Sequence, residues 1–264
     1  MKTCPLCGGD TNIFYIGKIL NRYNVEYFKC NKCTLISTEK PHWLQEAYSE
    51  SIASADTGIM VRNVTNSEWV NMILQLFYRN KTKLLDWGGG YGVFVRMMRD
   101  LGYEFLWYDK YADNLLARGF EYNGEERMDI VTAFELLEHF EKPGDELDLI
   151  FSKTDVLICS TLLYDEYSDS KSFGEWWYVC PDTGQHIVFY SRKTMEYIAS
   201  KYNRYYYYIG KEFHVFSKRK ISTFLWEVFL ANSLMRDNVS QLYRRMRRKK
   251  SLAVQDMEYI NKLS

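Results

Sequence analysis

The stretch Leu84-Leu85-Asp86-Trp87-Gly88-Gly89-Gly90-Tyr91-Gly92-Val93-Phe94 decides how the rest of this chain is read. A short apolar run ends in an acid, passes through a glycine-rich turn and enters a helix predicted over Val93 to Leu101. Gly88, Gly90 and Gly92 fit a D-x-G-x-G-x-G pattern. Glycines there let the backbone bend sharply and let a ligand approach the bare main chain. The helix start that follows offers N–H groups to an anionic group. Two competing readings fail on spacing. A phosphate-cradling P-loop ends in Gly-Lys-Ser/Thr, which does not follow here. A dinucleotide fingerprint needs glycine at position 93, which is Val93.

Working outward, Tyr103-Glu104-Phe105-Leu106-Trp107-Tyr108 reads as the next strand and ends at Asp109, 23 residues after Asp86. An acid at that distance, on the tip of the next strand, is placed to hold a ribose diol. A helix is predicted over Ala112 to Ala117 and a short strand near Phe120-Glu121-Tyr122. Asp129 to Phe134 is a continuous β-branched strand, as expected of a buried parallel one. Lys142-Pro143 reads as a break before a helix through Phe151, and Asp155 to Ser160 as the following strand. Strands alternating with helices predict an α/β fold with a doubly wound, mostly parallel sheet. Sites in such sheets lie at the carboxyl ends of the strands, where Asp86, Asp109, Glu135 and Thr161 fall.

The ordered set of strand, acid, glycines, helix, strand and acid resembles motif I and the acidic loop of class I S-adenosylmethionine-dependent methyltransferases. The resemblance implies a seven-stranded, Rossmann-like methyltransferase sheet and S-adenosylmethionine as cofactor. In that reading Asp86 meets the amino group of the methionine tail, and Gly88, Gly89, Gly90 and Gly92 admit the cofactor. Asp109 holds the ribose. Glu135-Leu136-Leu137-Glu138-His139 resembles the family stretch in which a strand ends in an acid followed by Leu-Glu-His. Phe134 and Glu135 are carried over on that basis, bordering the adenine and the methyl group. Glu138 and His139 either brace a helix turn or take part in the chemistry.

At the front, Cys4-Pro5-Leu6-Cys7 and Cys30-Asn31-Lys32-Cys33 form two C-x-x-C pairs with 22 residues between them. Four thiolates in this pattern suit tetrahedral zinc, and four cysteine ligands leave no open position. Short strands over Ile13 to Ile16 and Glu26 to Lys29 complete a zinc ribbon, and the metal is expected to be structural. Two disulfides are the competing reading, disfavoured in a reducing compartment. Cys159 and Cys180 are left over.

Leu162 to Asp182 is a long segment carrying Trp176, Trp177 and Tyr178. Long loops in a compact domain are usually functional. The aromatics read either as a platform for an acceptor or as the core of a folded-back loop. Gly184-Gln185-His186 follows, and Ser191 is placed to cap a helix through Ala199. A neutral imidazole at His186 can take a proton from a hydroxyl, which makes it the candidate general base, with Glu135 and His139 as further catalytic candidates. Trp-Trp-Tyr before Gly-Gln-His, together with the zinc ribbon, resembles methyltransferases associated with sugars and surface polysaccharides. That resemblance implies O-methylation of a sugar or glycan hydroxyl. Sugar C-methyltransferases share the front module but carry a longer carboxyl-terminal domain. An RNA methyltransferase that uses the ribbon to bind substrate is another alternative, and a non-enzymatic scaffold a third.

Lys+Arg and Asp+Glu both number 34 in 264 residues, so no global basic field favours nucleic acid. The first residues carry no apolar run, and a cytoplasmic setting is expected. Ser67 is expected to cap a helix through Tyr78, and Tyr205 to Phe216 to form a terminal hairpin. The chain then divides into a ribbon (1–40), a connector (41–66), a methyltransferase domain (67–217) and a helical basic tail (218–264). Arg244 to Lys250 places six cations in seven residues, a solvated helix end or a site for an anionic partner or membrane surface. The apolar face of the preceding helix offers a dimer contact.

Overall fold

The computed structural model describes residues 2–48, 57–233 and 249–263. The chain forms two compact units, neither of them continuous in sequence. One comprises Met1–Ser54, Phe134–Ser152 and Cys159–Lys218; the other comprises Ala55–Ala133, Lys153–Ile158 and Arg219–Ser264.

The second unit holds the glycine-rich stretch. β4 (Leu84–Trp87) lies between β5 (Phe105–Tyr108) and β6 (Ile130–Ala133), parallel to both, with Leu84 opposite Phe105 on one side and Ile130 on the other. Every residue of β4 and β6 is buried, which is why both read as unbroken apolar runs with a single polar side chain each. α3 (Val93–Asp100) turns Phe94, Val95 and Met98 into the core. α2 (Ile59–Phe77) packs Trp69 and Phe77 against Trp226 and Phe229 of α7 (Thr223–Ser233). That contact covers one apolar side of α7, while Phe224, Leu225 and Val228 stay exposed. α8 (Ala253–Leu263) docks through buried Asp256, which accepts hydrogen bonds from Arg99 Nε at 2.8 Å and Nη2 at 2.6 Å.

The first unit carries an antiparallel sheet ordered β1 (Thr11–Ile19), β2 (Tyr23–Cys30), β3 (Ile36–Thr38) and β8 (Val188–Phe189). The ribbon is therefore longer than its two predicted strands, and a strand 150 residues downstream of β3 completes it: Ile36 pairs with Phe189. Side chains sew the same seam. Trp43 Nε1 donates to Gly184 O at 2.8 Å, and Thr194 Oγ1 donates to Cys33 O at 2.9 Å. α6 (Arg192–Lys201) starts at Ser191 with a reciprocal capping box to Thr194, as the Ser191 reading predicts. β9 (Tyr205–Ile209) and β10 (Phe213–Ser217) form the expected antiparallel hairpin.

The larger sheet is mixed and mostly parallel, ordered β5-β4-β6-β7-β10-β9, with β7 spanning Val156–Ser160. Among the described residues it has six strands, not seven. The expected strand near Phe120 to Tyr122 is reduced to a single parallel bridge from Glu121 to Trp107. Gly119 and Gly124, at φ 87° and 86°, turn the backbone away on both sides of it. Two further expectations are corrected. Ser67 caps no helix: α2 begins at Ile59, and Ser67 Oγ bonds back to Val64 O within it. Residues 112–117 form irregular bends rather than a helix, because Asp109 and Asn114 carboxyl and amide oxygens take the N–H groups of Ala112 and Ala117. The helix expected after the Lys142-Pro143 break is α4 (Pro143–Lys153), with Pro143 in its first turn, where its missing N–H costs nothing. Among the described residues no helix is long and apolar enough to cross a membrane. The basic run from Arg244 lies outside the described residues up to Arg248.

Candidate functional site

The glycine loop is held from several sides. Gly88, Gly90 and Gly92 have φ of 78°, 52° and 84°, the left-handed region that an L side chain rarely adopts. Gly88 and Gly89 N–H groups donate to Tyr108 O at 2.8 and 3.0 Å, tying the loop to the tip of β5. Trp107 Nε1 donates to Gly90 O at 2.9 Å, and Asp109 Oδ2 accepts from Gly90 N–H at 2.9 Å. A Cβ on Gly89 would collide with Trp107 Cδ1 at 2.6 Å, whereas a Cβ on Gly90 would meet nothing within 4 Å. Gly90 thus presents bare main chain to open space. No side chain caps α3 at Gly92.

Asp86 sits under this loop, fully buried, with Thr132 Oγ1 donating to its Oδ1 at 2.6 Å. Burial pushes its carboxyl up to about 7; the Thr132 hydrogen bond pulls the other way, and the charge of Asp109 adds to the rise. The two acids predicted to serve one ligand therefore differ in surroundings. Asp109 Oδ1 also accepts from Tyr111 and Ala112 N–H groups, so this carboxylate organises its own loop.

In the other unit, Glu135 adopts φ 49°, a left-handed conformation that a non-glycine residue keeps only when its surroundings impose it. Ser160 imposes it here. Its Oγ accepts from Glu135 N–H at 2.9 Å and donates to Glu135 Oε1 at 2.6 Å. Phe134 packs against Phe213, ring centroids 5.8 Å apart. A short 3-10 turn, Leu137–His139, follows. The His139 and His186 rings meet edge to face at 5.0 Å. His186 Nδ1 lies 2.7 Å from Tyr178 O, and His139 Nδ1 lies 3.0 Å from Gln185 O. A carbonyl oxygen only accepts, so in the neutral His186 ring Nδ1 carries hydrogen and Nε2 the lone pair, whereas His139 Nδ1 also lies 2.9 Å from the Tyr48 hydroxyl, which both donates and accepts.

A methyltransferase-domain family model matches residues 60–206, more than half of the chain. The chain belongs to this methyltransferase family. It is a methyltransferase dependent on S-adenosylmethionine, of the EC 2.1.1 class. No curated protein matches it. Solved structures similar to it include a magnesium protoporphyrin IX methyltransferase from Synechocystis PCC 6803 with bound SAH, at 13% identity and a TM-score of 0.47 over 66% of this chain and 92% of that one. An O-methyltransferase family protein from Burkholderia thailandensis is similar at 12% identity and a TM-score of 0.44, over 68% of each chain. The residues present fit the cofactor. Gly90 offers main chain unobstructed by any side chain, α3 offers a helix start without a side-chain cap, and Asp86 offers a buried acid beside both.

Of the three aromatics in the methyltransferase's long segment, Trp176 and Tyr178 take the core reading, at 4% and 2% exposed. Trp177 is 69% exposed. Tyr178 has a second task that sequence reasoning missed. Its hydroxyl donates to Glu138 Oε1 at 2.6 Å, and burial with the charge of Glu138 holds its proton well above the ordinary phenol range. Glu138 itself is completely buried. The only sequence signal for this was the acid in Leu-Glu-His.

Cys4, Cys7, Cys30 and Cys33 converge as a four-cysteine cluster consistent with a zinc site. Cys4 and Cys33 Sγ are 3.6 Å apart, and Cys7 and Cys30 Sγ 3.4 Å. These separations are too long for a disulfide and close to the edge of a tetrahedron with metal–sulfur bonds of about 2.3 Å. Lys32 N–H donates to Cys30 Sγ at 3.3 Å.

Proposed function

We propose that this methyltransferase transfers the sulfonium methyl group to a hydroxyl of a sugar or cell-surface polysaccharide, with His186 as general base and a structural zinc in the four-cysteine cluster. The observation that carries the reading is the bond from His186 Nδ1 to Tyr178 O, which leaves the basic lone pair on Nε2. The acceptor oxygen forms its bond to the methyl carbon as the carbon–sulfur bond breaks. The hydroxyl proton passes to His186 Nε2, and the cofactor leaves as a neutral thioether. Holding the two reactants in line supplies much of the rate. Asp86, Gly88, Gly89, Gly90, Gly92 and Asp109 serve the cofactor, with Phe134 and Glu135 bordering it. Exposed Trp177 supports an acceptor with an apolar face, as a sugar ring has.

The test is transfer of a labelled methyl group to a panel of sugar nucleotides, glycans and RNA. Transfer to a sugar is expected, with His186→Ala lowering kcat about 100-fold or more. Cofactor affinity in this variant should stay at the wild-type level. Transfer to RNA alone would replace the acceptor class, and cofactor affinity lost in step with kcat would remove His186 from the base role.

A further inference from the structure

Glu138, His139 and His186 form a second cluster whose ligand atoms all lie within 4.8 Å of one another. We propose that it binds a divalent first-row transition cation. Glu138 makes the argument. Its side chain is 0% exposed, its Oε1 accepts from the Tyr178 hydroxyl, and its Oε2 is buried with no hydrogen-bond partner among the described residues. No ion pair within the described residues reaches it. A buried carboxylate with no counter-charge costs several kcal/mol, a penalty that a cation on Oε2 removes.

The imidazoles are set for the same ion. The Tyr178 carbonyl orients the His186 ring and defines its Nε2 lone pair, and the His139 ring is oriented by Gln185 O at 3.0 Å and the Tyr48 hydroxyl at 2.9 Å from its Nδ1. Metal-binding histidines are typically held this way, the second nitrogen donating to a backbone carbonyl or carboxylate. The positions are also rigid. Ile187 N–H donates to Glu138 O at 2.9 Å, and Tyr190 OH donates to Leu137 O at 2.9 Å. Two imidazoles and one carboxylate on a first-row ion leave coordination positions open. The thiolate cluster, with four soft ligands, leaves none, so the two sites differ in kind.

The site stands on this geometry alone; only its use rests on the hydroxyl-methylation reading above. With the cation bound, the acceptor oxygen takes an open position and its hydroxyl becomes more acidic. In the cation-loaded enzyme His186 Nε2 is occupied and the proton goes to solvent, whereas in the cation-free enzyme it goes to His186; in both the carbon–sulfur bond breaks as the oxygen–carbon bond forms.

The experiment titrates the zinc-loaded full chain with Mn2+ and follows the free ion by electron paramagnetic resonance, without cofactor or acceptor. Manganese is chosen because it prefers nitrogen and oxygen to thiolate. A single bound equivalent is expected, weakened at least about tenfold by Glu138→Gln and by His186→Gln. Far-UV circular dichroism checks that each variant is folded. His186 is half-buried, so its variant carries the test even where Glu138→Gln fails to fold. Equal binding by wild type and both folded variants, or no binding by folded wild type at millimolar Mn2+, overturns the site. Because no methyl transfer is read, that failure leaves the hydroxyl-methylation reading intact. Conversely, a chain that binds Mn2+ but methylates no hydroxyl keeps the site and loses the proposed use.

Discussion

Asp86 is where a single residue's environment becomes a measurable property of the proposed cofactor site. With burial lifting its carboxyl to about 7, the folded protein holds a proton that the unfolded chain releases near the ordinary aspartate value. The sign follows from linkage. The folded state binds the extra proton between those two values, so Asp86's contribution to stability is present at low pH and falls as pH rises through about 7. An ammonium group beside Asp86 favours the carboxylate instead. S-adenosylmethionine affinity is therefore expected to rise between about pH 6 and pH 8, read by calorimetry, and Asp86→Asn should flatten that rise. A pH-independent affinity in the wild type would take Asp86 away from the amino group. The acid and its glycines were legible because loop, strand end and helix start are consecutive in the chain. The elevated carboxyl was not, because Thr132 and the burial come from β6, which lies beyond the next strand. Glu138 was similarly opaque. Its partner Tyr178 is 40 residues away, and nothing local distinguishes a buried acid from a helix brace.

At the scale of elements, a buried ion pair ties α8 to α3. Arg99 binds Asp256 through two nitrogens, donates its third to Phe105 O at 3.0 Å and lies 3.5 Å over the Phe120 ring. Arg96 adds a second contact to Asp256 at 2.9 Å. Burial alone would raise the Asp256 carboxyl, but the two guanidiniums hold it below the usual range. Removing one partner of such a pair strands the other charge. Asp256→Ala is expected to cost about 3–5 kcal/mol in denaturant unfolding. Asp100→Ala, which breaks only the exposed pair with Arg96, should cost about 0.5 kcal/mol or less. Equal effects would mean that α8 is held by its apolar face instead. A helical tail was readable from the pattern near the carboxyl end, but its anchor was not, since Arg99 and Asp256 are 157 residues apart. The predicted helix over 112–117 failed for a local reason: short polar side chains three residues away captured the N–H groups a helix would have used.

At the scale of the molecule, each unit is assembled from three separate stretches of chain, and the amino-terminal cysteines belong to one whose other parts come from beyond residue 133. The zinc proposed for the cluster therefore supports more than the ribbon. Thr34, next to Cys33, shares a hydroxyl contact of 2.6 Å with Ser191, the cap of α6, and β3 carries β8. Stripping the metal with a strong chelator, or substituting Cys30→Ser, is expected to lower the melting temperature by about 10 °C or more and to unfold that whole unit. A loss of structure confined to β1 and β2 would show the ribbon to be independent. What the sequence determined by itself was encoded over short spans: the glycine turn, the C-x-x-C pairs, the helix capped by Ser191 and the alternation of strands that made the sheet. Those signals survive because steric and hydrogen-bonding preferences act between neighbours. Only the tertiary structure decided which distant groups share a buried space: Glu138 with Tyr178, β3 with β8, Arg99 with Asp256. A charge acquires its energy from what surrounds it after burial, and a linear sequence does not contain those surroundings.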